Sequence, residues 1–253
     1  MEQLVKTRDD APAGFFAAEA AGLRWLSDAG GARTVRVVDV GDDRIALERV
    51  AETAPTSTSA AAFGAALAAT HAAGAEAFGS PPPGWEGGIY IGRRPQPADP
   101  TPSWGAFYAA QRVEPFVPIA VAVGNLSASG AEVVARACAL IADGAFDDDE
   151  PPARLHGDLW AGNVLWSGEG VVLIDPAAHG GHRETDLAML ALFGCPFLEQ
   201  ILAAYDRAHP LRDGWRERVP LHQLHPLAVH AAGHGPSYGR ALVDAAEQTL
   251  ALA

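Results

Sequence analysis

Three oxygen-bearing side chains stand close together in the second half of the chain. Asp158 and Asn163 lie in Leu155-His156-Gly157-Asp158-Leu159-Trp160-Ala161-Gly162-Asn163-Val164-Leu165, and Asp175 ends Val171-Val172-Leu173-Ile174-Asp175-Pro176. A carboxylate followed five residues later by an amide and seventeen residues later by a second carboxylate is the set with which a kinase orients an attacking hydroxyl and holds magnesium. Oxygen donors suit a hard cation of this kind. Asp158 is therefore the candidate proton acceptor, and Asn163 and Asp175 are the candidate metal ligands. A strand, turn and strand with a merely polar tip would carry the same residues without the chemistry.

Phosphoryl transfer also needs a cation near the phosphates. Lys6 is the one lysine among 18 basic residues, and its compact ammonium can reach phosphates that a planar guanidinium would meet differently. Glu19 follows in an alanine-rich helical stretch, so the two match the strand lysine and helix glutamate that position phosphates in kinases. A terminal surface lysine and an exposed helix glutamate would read the same way in isolation. With these four groups, positioning and charge neutralisation supply the core of the reaction.

Other polar residues fit supporting roles. His156 can brace the loop through imidazole hydrogen bonds, and Asp186 can brace it from below or cap a helix. His222, His225, His230 and His234 crowd the C-terminal region and raise the question of a metal. No cysteine lies near them, and helix packing or surface placement accounts for them more simply.

The elements that must position these groups follow from periodicity. Leu4-Val5-Lys6 reads as the end of a strand. Phe15, Phe16, Ala20, Leu23, Trp25 and Leu26 recur at helical spacing between Pro12 and Ala29, with Gly30-Gly31 as the stop. Val35 to Val40 and Ile45 to Val50 read as a hairpin around Gly41-Asp42-Asp43. Ser57 or Ser59 could cap a helix running to Gly74. Residues 79–103 read as a long Gly- and Pro-rich loop, Trp104 to Arg112 and Ala131 to Ile141 as helices, and Asp147-Asp148-Asp149-Glu150 as a solvated acidic turn. Beyond Glu184 the pattern is helical, with breaks at Pro196, Pro210, Pro220 and Pro236. The expected fold is α+β with two lobes: residues 1–52 a small β-rich lobe, residues 53–253 a larger, mainly helical lobe. The connector from Glu48 to Thr53 would border a cleft between them, with Glu48 and Val50 as candidate ATP contacts.

Composition bounds the partners. The 253-residue chain can bury a sizeable core. A formal net charge of −13 repels nucleic-acid backbones and anionic lipid surfaces. ATP binding is compatible with that charge, because a few placed cations act locally and distant charges are screened within about 10 Å. Cys138 and Cys195 are too few for a disulfide framework or a zinc site. No N-terminal apolar run reads as a signal peptide, and no stretch reads as a membrane span. The expectation is a cytoplasmic monomer.

The His156 to Leu165 segment resembles the fructosamine kinase family, the ketosamine-3-kinases of the protein-kinase-like superfamily. Trp160 after Asp158-Leu159 separates it from aminoglycoside phosphotransferases and choline kinases, which share the His-Gly-Asp core. Similar matches include Val5-Lys6, Glu19 with Gly22-Leu23, Gly92, Gln96, Trp104, Phe107-Tyr108, Gln111-Arg112, Ile174-Asp175-Pro176-Ala177 and Gly181-His182-Arg183-Glu184 with Asp186-Leu187-Ala188-Met189. The resemblance implies ATP- and Mg²⁺-dependent phosphorylation of the 3-hydroxyl of a ketosamine, a step in deglycation. Trp160 fits as a substrate contact, since an indole beside the carboxylate can stack on a sugar; a core aromatic is its plain alternative.

Two departures qualify the resemblance. Family members carry a strand pair and a phosphate-covering loop ahead of the lysine, whereas five residues precede Lys6. The expectation is an N-terminal lobe that is partial or covered by another element. His179 stands where the family often has a tyrosine near the substrate cleft, which makes it a candidate substrate contact. Two readings compete with a ketosamine kinase: an aminoglycoside- or choline-type phosphotransferase, and an inactive nucleotide-binding pseudokinase.

Overall fold

A computed structural model describes residues 2–253 of the protein. Its first fifty residues form a three-stranded antiparallel sheet and one helix. Strands β1 (Gln3–Thr7), β2 (Val37–Val40) and β3 (Arg44–Glu48) are ordered β1-β3-β2, with Lys6 opposite Ile45. Helix α1 (Phe15–Asp28) lies beneath the sheet because its apolar face repeats at helical spacing: Phe16, Ala20 and Leu23 are buried with Val35, Ile45, Leu47 and Val172. Each such large side chain contributes roughly 1.5–3 kcal/mol through burial. Val172 belongs to a later hairpin, so this small core also joins the two parts of the molecule.

Helix α2 (Ser57–Ala72) begins the helical part. Its cap is Thr56, whose hydroxyl accepts from the Ser59 amide, rather than Ser57 or Ser59. Helices α3 (Trp104–Phe107), α4 (Val117–Ala122), α5 (Ala128–Ala142), α6 (Glu184–Phe193), α7 (Leu198–Ala208), α8 (Val219–Ala231) and α9 (Pro236–Leu250) complete the part. Phe107, Tyr108, Phe116, Val134, Ile141, Leu224 and Leu242 fill one of its cores, and Phe63, Leu67, Leu159, Leu190, Ile201 and Tyr205 another. Pro220 and Pro236 fall in the first turns of α8 and α9, where no backbone donor is lost.

Three sequence expectations need correction here. Residues 79–103 are not wholly irregular: β4 (Ile89–Ile91) and β5 (Arg94–Gln96) form a hairpin around Gly92, which adopts φ +54°. Its strands are too short, and Pro95 too disruptive, for a strand pattern to register. The helix expected from Trp104 to Arg112 changes at Tyr108 into a π-helix, Tyr108–Val113.

The acidic segment 147–150 is not simply solvated either. Asp147 accepts from Ser103 Oγ at 2.7 Å and Gly105 N at 2.7 Å, Asp148 pairs with Arg212 at 2.7 Å and His182 at 3.4 Å, and Glu150 pairs with Arg183 at 2.5 Å. These partners come from distant segments, so a run of like charges could not reveal them.

Strands β6 (Ala153–Leu155) and β9 (His179–Gly181) pair antiparallel, as do β7 (Val164–Ser167) and β8 (Gly170–Leu173). The loop from 156 to 163 springs from β6 and leads into β7, while Asp175 follows β8. Backbone bonds from Val35 N to Leu173 O at 2.9 Å and from Leu173 N to Arg33 O at 2.8 Å fix this hairpin against the first fifty residues. Among the described residues, no helix is long and apolar enough to cross a membrane.

Candidate active site

Two adjacent cavities meet at Lys6 and Asp175. The smaller, of about 250 Å³, is lined by Leu4, Val35, Leu47, Glu48, Val50, Leu165 and Ile174 in addition to those two residues. The larger, of about 350 Å³, holds Asp158, Trp160, Asn163, Phe15, Glu19, Tyr90, Arg8 and Arg93. The first has apolar walls and a charged border that also includes Arg49 and Glu52, and the second is bordered by charged and aromatic groups. Both have the mixed character of small-molecule sites, and the larger has their size.

Strand alternation and helix register bring the lysine to this junction. Lys6 Nζ donates to Glu19 Oε1 at 2.8 Å and to Asp175 Oδ1 at 2.6 Å. Burial works against the ammonium, but the two carboxylates outweigh it and raise the pKa of Lys6 above its ordinary value. Lys6 is therefore held as a cation. Glu19 is pushed the other way by burial, which raises its carboxyl despite the lysine. Gly22 makes the approach of α1 possible: a Cβ there would lie 3.1 Å from Ala178 Cβ and 3.3 Å from Pro176 Cγ.

The loop bearing Asp158 is built on a buried carboxylate. Asp186, in the first turn of α6 and 1% exposed, accepts from His156 N at 2.8 Å, Gly157 N at 3.0 Å and His71 Nε2 at 3.1 Å. His71 in turn meets the Tyr205 hydroxyl at 2.8 Å. Of the two expected roles for Asp186, bracing is the one the geometry displays. Gly157 adopts φ +79°, and a Cβ on it would lie 2.2 Å from Ala177 O, so only glycine fits this bend. His156 is buried; its Nε2 bonds Ile174 O at 2.9 Å and its Nδ1 accepts the Asp158 amide at 3.3 Å. Burial lowers its pKa, and a neutral ring protonated at Nε2 satisfies both bonds.

Asp186→Ala should destabilise the fold by about 3 kcal/mol, because it leaves two loop amides and His71 without their buried partner. Burial alone would raise the Asp186 carboxyl, but the His71 bond and its other partners hold it below the usual 3.8. Its contribution is thus present above that pH and is lost as pH falls through the lowered pKa. Urea melts from pH 7 downward should show a lower midpoint in the variant and a shallower acid-side loss. An unchanged midpoint would remove Asp186 as the brace.

The Asp158 carboxyl is pushed up to about 7, chiefly by burial and further by the charges of Asp175 and Asp186, with the Asn163 bond opposing. A carboxylate so tuned can exchange a proton near neutral pH. Asn163 Nδ2 donates to Asp158 O at 2.7 Å and Asp158 Oδ2 at 3.2 Å, so its amide nitrogen is committed inward. Among the described residues nothing bonds its Oδ1. Asp175 adopts φ +53°, a strained conformation for a non-glycine residue, with its side chain 43% exposed. Carboxylate oxygens on Asp175 and a free amide oxygen on Asn163 are the donor chemistry a magnesium ion requires.

Other expected site residues fall in different places. Trp160 lines the larger cavity, is 41% exposed, and meets Phe193 edge-to-face at 6.2 Å; it is not a core aromatic. Val50 and Glu48 line the smaller cavity, although Glu48 also binds Arg33 at 3.1 Å. His179 does not face the cleft, contrary to expectation. It is 2% exposed, with Nδ1 on Ala177 O at 2.8 Å and Nε2 accepting from Arg112 Nε at 3.2 Å. The β6 pairing turns the ring inward, where the buried Arg112 takes its remaining nitrogen.

The C-terminal histidines do not gather at one point. His225 meets Gln96 Nε2 at 2.8 Å, and His230 and His234 pack on each other, ring centroids 4.9 Å apart, beside Tyr238. His222 approaches His182 and Glu184, with ligand atoms within 4.8 Å of one another. Both Glu184 oxygens, however, accept from Arg218 at 2.6 and 3.0 Å, and His222 and His182 engage Thr185, Glu184 and Asp148 through their ring nitrogens. Burial would raise the Glu184 carboxyl, but its His222 and Arg218 bonds bring it to about 2. The cluster is a closed ion-pair network around an arginine.

These features coincide with a known family. The fructosamine kinase family model matches residues 2–252 of the chain. The chain belongs to the fructosamine kinase family. It is accordingly a kinase, a phosphotransferase that uses ATP. Among family relatives, the "probable ketoamine kinase" of Enterococcus faecium is 32% identical over 240 residues, covering 93% of this chain and 83% of its own. That of Thermus thermophilus is 33% identical over 240 residues, covering 94% and 84%.

The crystal structure of the "putative fructosamine-3-kinase" of Thermobifida fusca superimposes with a TM-score of 0.90 at 48% identity, covering 98% of this chain and 85% of that one. A choline/ethanolamine kinase family protein from Mesorhizobium loti shares the fold alone, with a TM-score of 0.58 at 17% identity. Sequence reasoning had not singled out Arg8, Tyr90 or Arg93 in the larger cavity, nor Val35, Leu47, Leu165 and Ile174 in the smaller. The arginines look like ordinary surface charges in the sequence, and the apolar residues like ordinary core.

Proposed function

We propose that the protein transfers the γ-phosphoryl group of ATP to a sugar hydroxyl of a ketosamine, the 3-hydroxyl, with magnesium, as a deglycation enzyme of the cytoplasm. The observation that carries this reading is the placement of Asp158 beside the exposed indole of Trp160 in a cavity that adjoins the Lys6 and Asp175 junction. On this reading residues 1–52 supply Lys6 and the walls of the nucleotide cavity together with one edge of the acceptor cavity, and residues 53–253 carry the reacting carboxylate and the rest of the acceptor site. The smaller cavity takes the adenine, its apolar walls Val35, Leu47, Leu165 and Ile174 covering the base and Glu48 and Val50 bordering it.

Lys6, aligned by Glu19, meets the phosphates. Asp158 orients the acceptor hydroxyl and accepts its proton as the oxygen bonds to the γ-phosphorus and the bond to the β–γ bridging oxygen breaks, releasing ADP. Asn163 and Asp175 would hold magnesium, which neutralises charge on the phosphates when bound. Trp160 would stack on the sugar and shield the hydroxyl from water.

Trp160→Ala should raise the acceptor KM about tenfold, the loss of one aromatic contact worth about 1.4 kcal/mol, and leave the ATP KM in place. Steady-state kinetics with fructosyl-amine as the varied substrate measures this. Equal acceptor KM values in the two proteins would remove the indole from the acceptor site. Turnover of choline or an aminoglycoside in preference to a ketosamine would transfer the reading to the other phosphotransferases of this fold.

A further inference from the structure

Alternation along β1 places Leu4 and Lys6 on one side of the chain, Arg8 follows one residue past the strand's end, and the cleft runs along that row. Leu4 lines the smaller cavity, Lys6 lines both, and Arg8 lines the larger. The Arg8 guanidinium lies 4.8 Å over the Phe15 ring and donates through Nε to Asp10 Oδ1 at 2.8 Å, with its side chain 15% exposed. Its Nη1 is buried and has no hydrogen-bond partner among the described residues. Arg93, at the turn of the β4–β5 hairpin, approaches the other oxygen of the same carboxylate at 3.9 Å and is 78% exposed.

Two guanidinium groups thus share one carboxylate. Lys6 is already matched by Glu19 and Asp175, and Lys6, Arg8 and Arg93 balance Glu19, Asp158 and Asp175 over the whole lining, so the locally cationic edge is the Arg8 and Arg93 pair, set against the single carboxylate of Asp10. That pair lines the cavity that holds Asp158 and Trp160 and not the smaller one, in a chain whose formal net charge is −13. A guanidinium fork matches a carboxylate or a phosphate and strengthens with charge.

We propose that Arg8 and Arg93 bind an anionic group on the acceptor, so that the preferred ketosamine carries a carboxylate or a phosphate. This rests on the acceptor reading of the larger cavity. The two sources share the same recognition chemistry and differ in position: a carboxylate belongs to the amine half, as in an amino-acid adduct, and a phosphate to the sugar half.

Three acceptors separate the possibilities: fructosyl-glycine, fructosyl-glycinamide, and fructosyl-glycinamide phosphorylated at the sugar 6-position. The first and second differ only in carboxylate against amide, the second and third only in the phosphate. We expect kcat/KM for at least one anionic acceptor to exceed that for fructosyl-glycinamide by about tenfold, and Arg93→Gln to reduce that ratio towards unity. Arg8→Gln should act in the same direction. Because Arg8 packs on Phe15, its variant is compared after a thermal melt, while the exposed Arg93 provides the test if Arg8→Gln fails to fold.

Equal kcat/KM for all three acceptors, or a preference that survives Arg93→Gln, would overturn the proposal. So would a rise in the ATP KM of Arg93→Gln that is the same with every acceptor, since that assigns the charge to the nucleotide phosphates. Absence of turnover with all three would overturn the ketosamine reading itself, and this proposal with it.

Discussion

Asp158→Asn should lower kcat by about a thousandfold while ATP still binds. The asparagine fills the same space and can still meet Asn163, but it cannot take the hydroxyl proton, and positioned proton transfer contributes roughly 10²–10⁴ in rate. The wild-type carboxyl, pushed up to about 7 mainly by burial, must lose its proton before it can act. The sign follows: below that pKa the active base form falls about tenfold per pH unit, and above it the rate is flat.

Part of the upward push comes from the neighbouring Asp175 charge. Magnesium held there as proposed would cancel that part, so the acid limb of kcat/KM should have its midpoint at or below about 7. Rates from pH 5 to 9, with ATP affinity from a fluorescent nucleotide titration, measure both effects. Wild-type turnover in Asp158→Asn would eliminate Asp158 as the base. A flat profile down to pH 5 would contradict the burial argument.

The second large effect concerns the metal. Asp175→Ala should weaken ATP binding roughly a hundredfold in the presence of magnesium, the order expected when one of few carboxylate ligands is lost. The substitution also frees Lys6 from a partner 2.6 Å away. An ammonium left with Glu19 alone attracts phosphates at least as well, so magnesium-free affinity should hold or rise. Nucleotide titration calorimetry with magnesium and with EDTA separates the two contributions. A variant whose affinity still depends on magnesium as in the wild type would move the metal to other ligands. A variant weakened equally in both conditions would give Asp175 a structural role.

Much of this site was legible because it is local in sequence. Asp158, Asn163 and Asp175 lie on one loop and the end of one hairpin, so their spacing carries their geometry. Lys6 and Glu19 are linked by one strand and one helix, and their 2.8 Å contact follows from packing that the helix periodicity already implied. The two apolar patterns before residue 50 likewise foretold the sheet and α1, because each has a buried face and a solvent face.

Long-range partners were not legible. Nothing around Asp148 or Glu150 points to Arg212, His182 or Arg183, contributed by segments more than thirty residues away, so a buried ion-pair network read as a solvated turn. His179 was expected at the substrate cleft only through the resemblance, because it stands where the family often has a tyrosine. Its actual direction depends on pairing with Leu155 and on Arg112, which reaches it from the π-helix. Arg8 and Arg93 carry no pattern at all until the hairpin at Gly92 folds over the N-terminus of α1, where Tyr90 meets Phe15 at 5.2 Å.

On the proposed function Asp158 directs phosphate onto a ketosamine hydroxyl. The most direct measurement is incubation of the folded protein with ATP, magnesium and a ¹³C-labelled fructosyl-amine, followed by phosphorus and carbon NMR of the product. The account predicts one ADP released per acceptor consumed and a new phosphate ester coupled to carbon 3 of the sugar, absent in Asp158→Asn. An ester at another carbon, or no ester with any ketosamine, would contradict it.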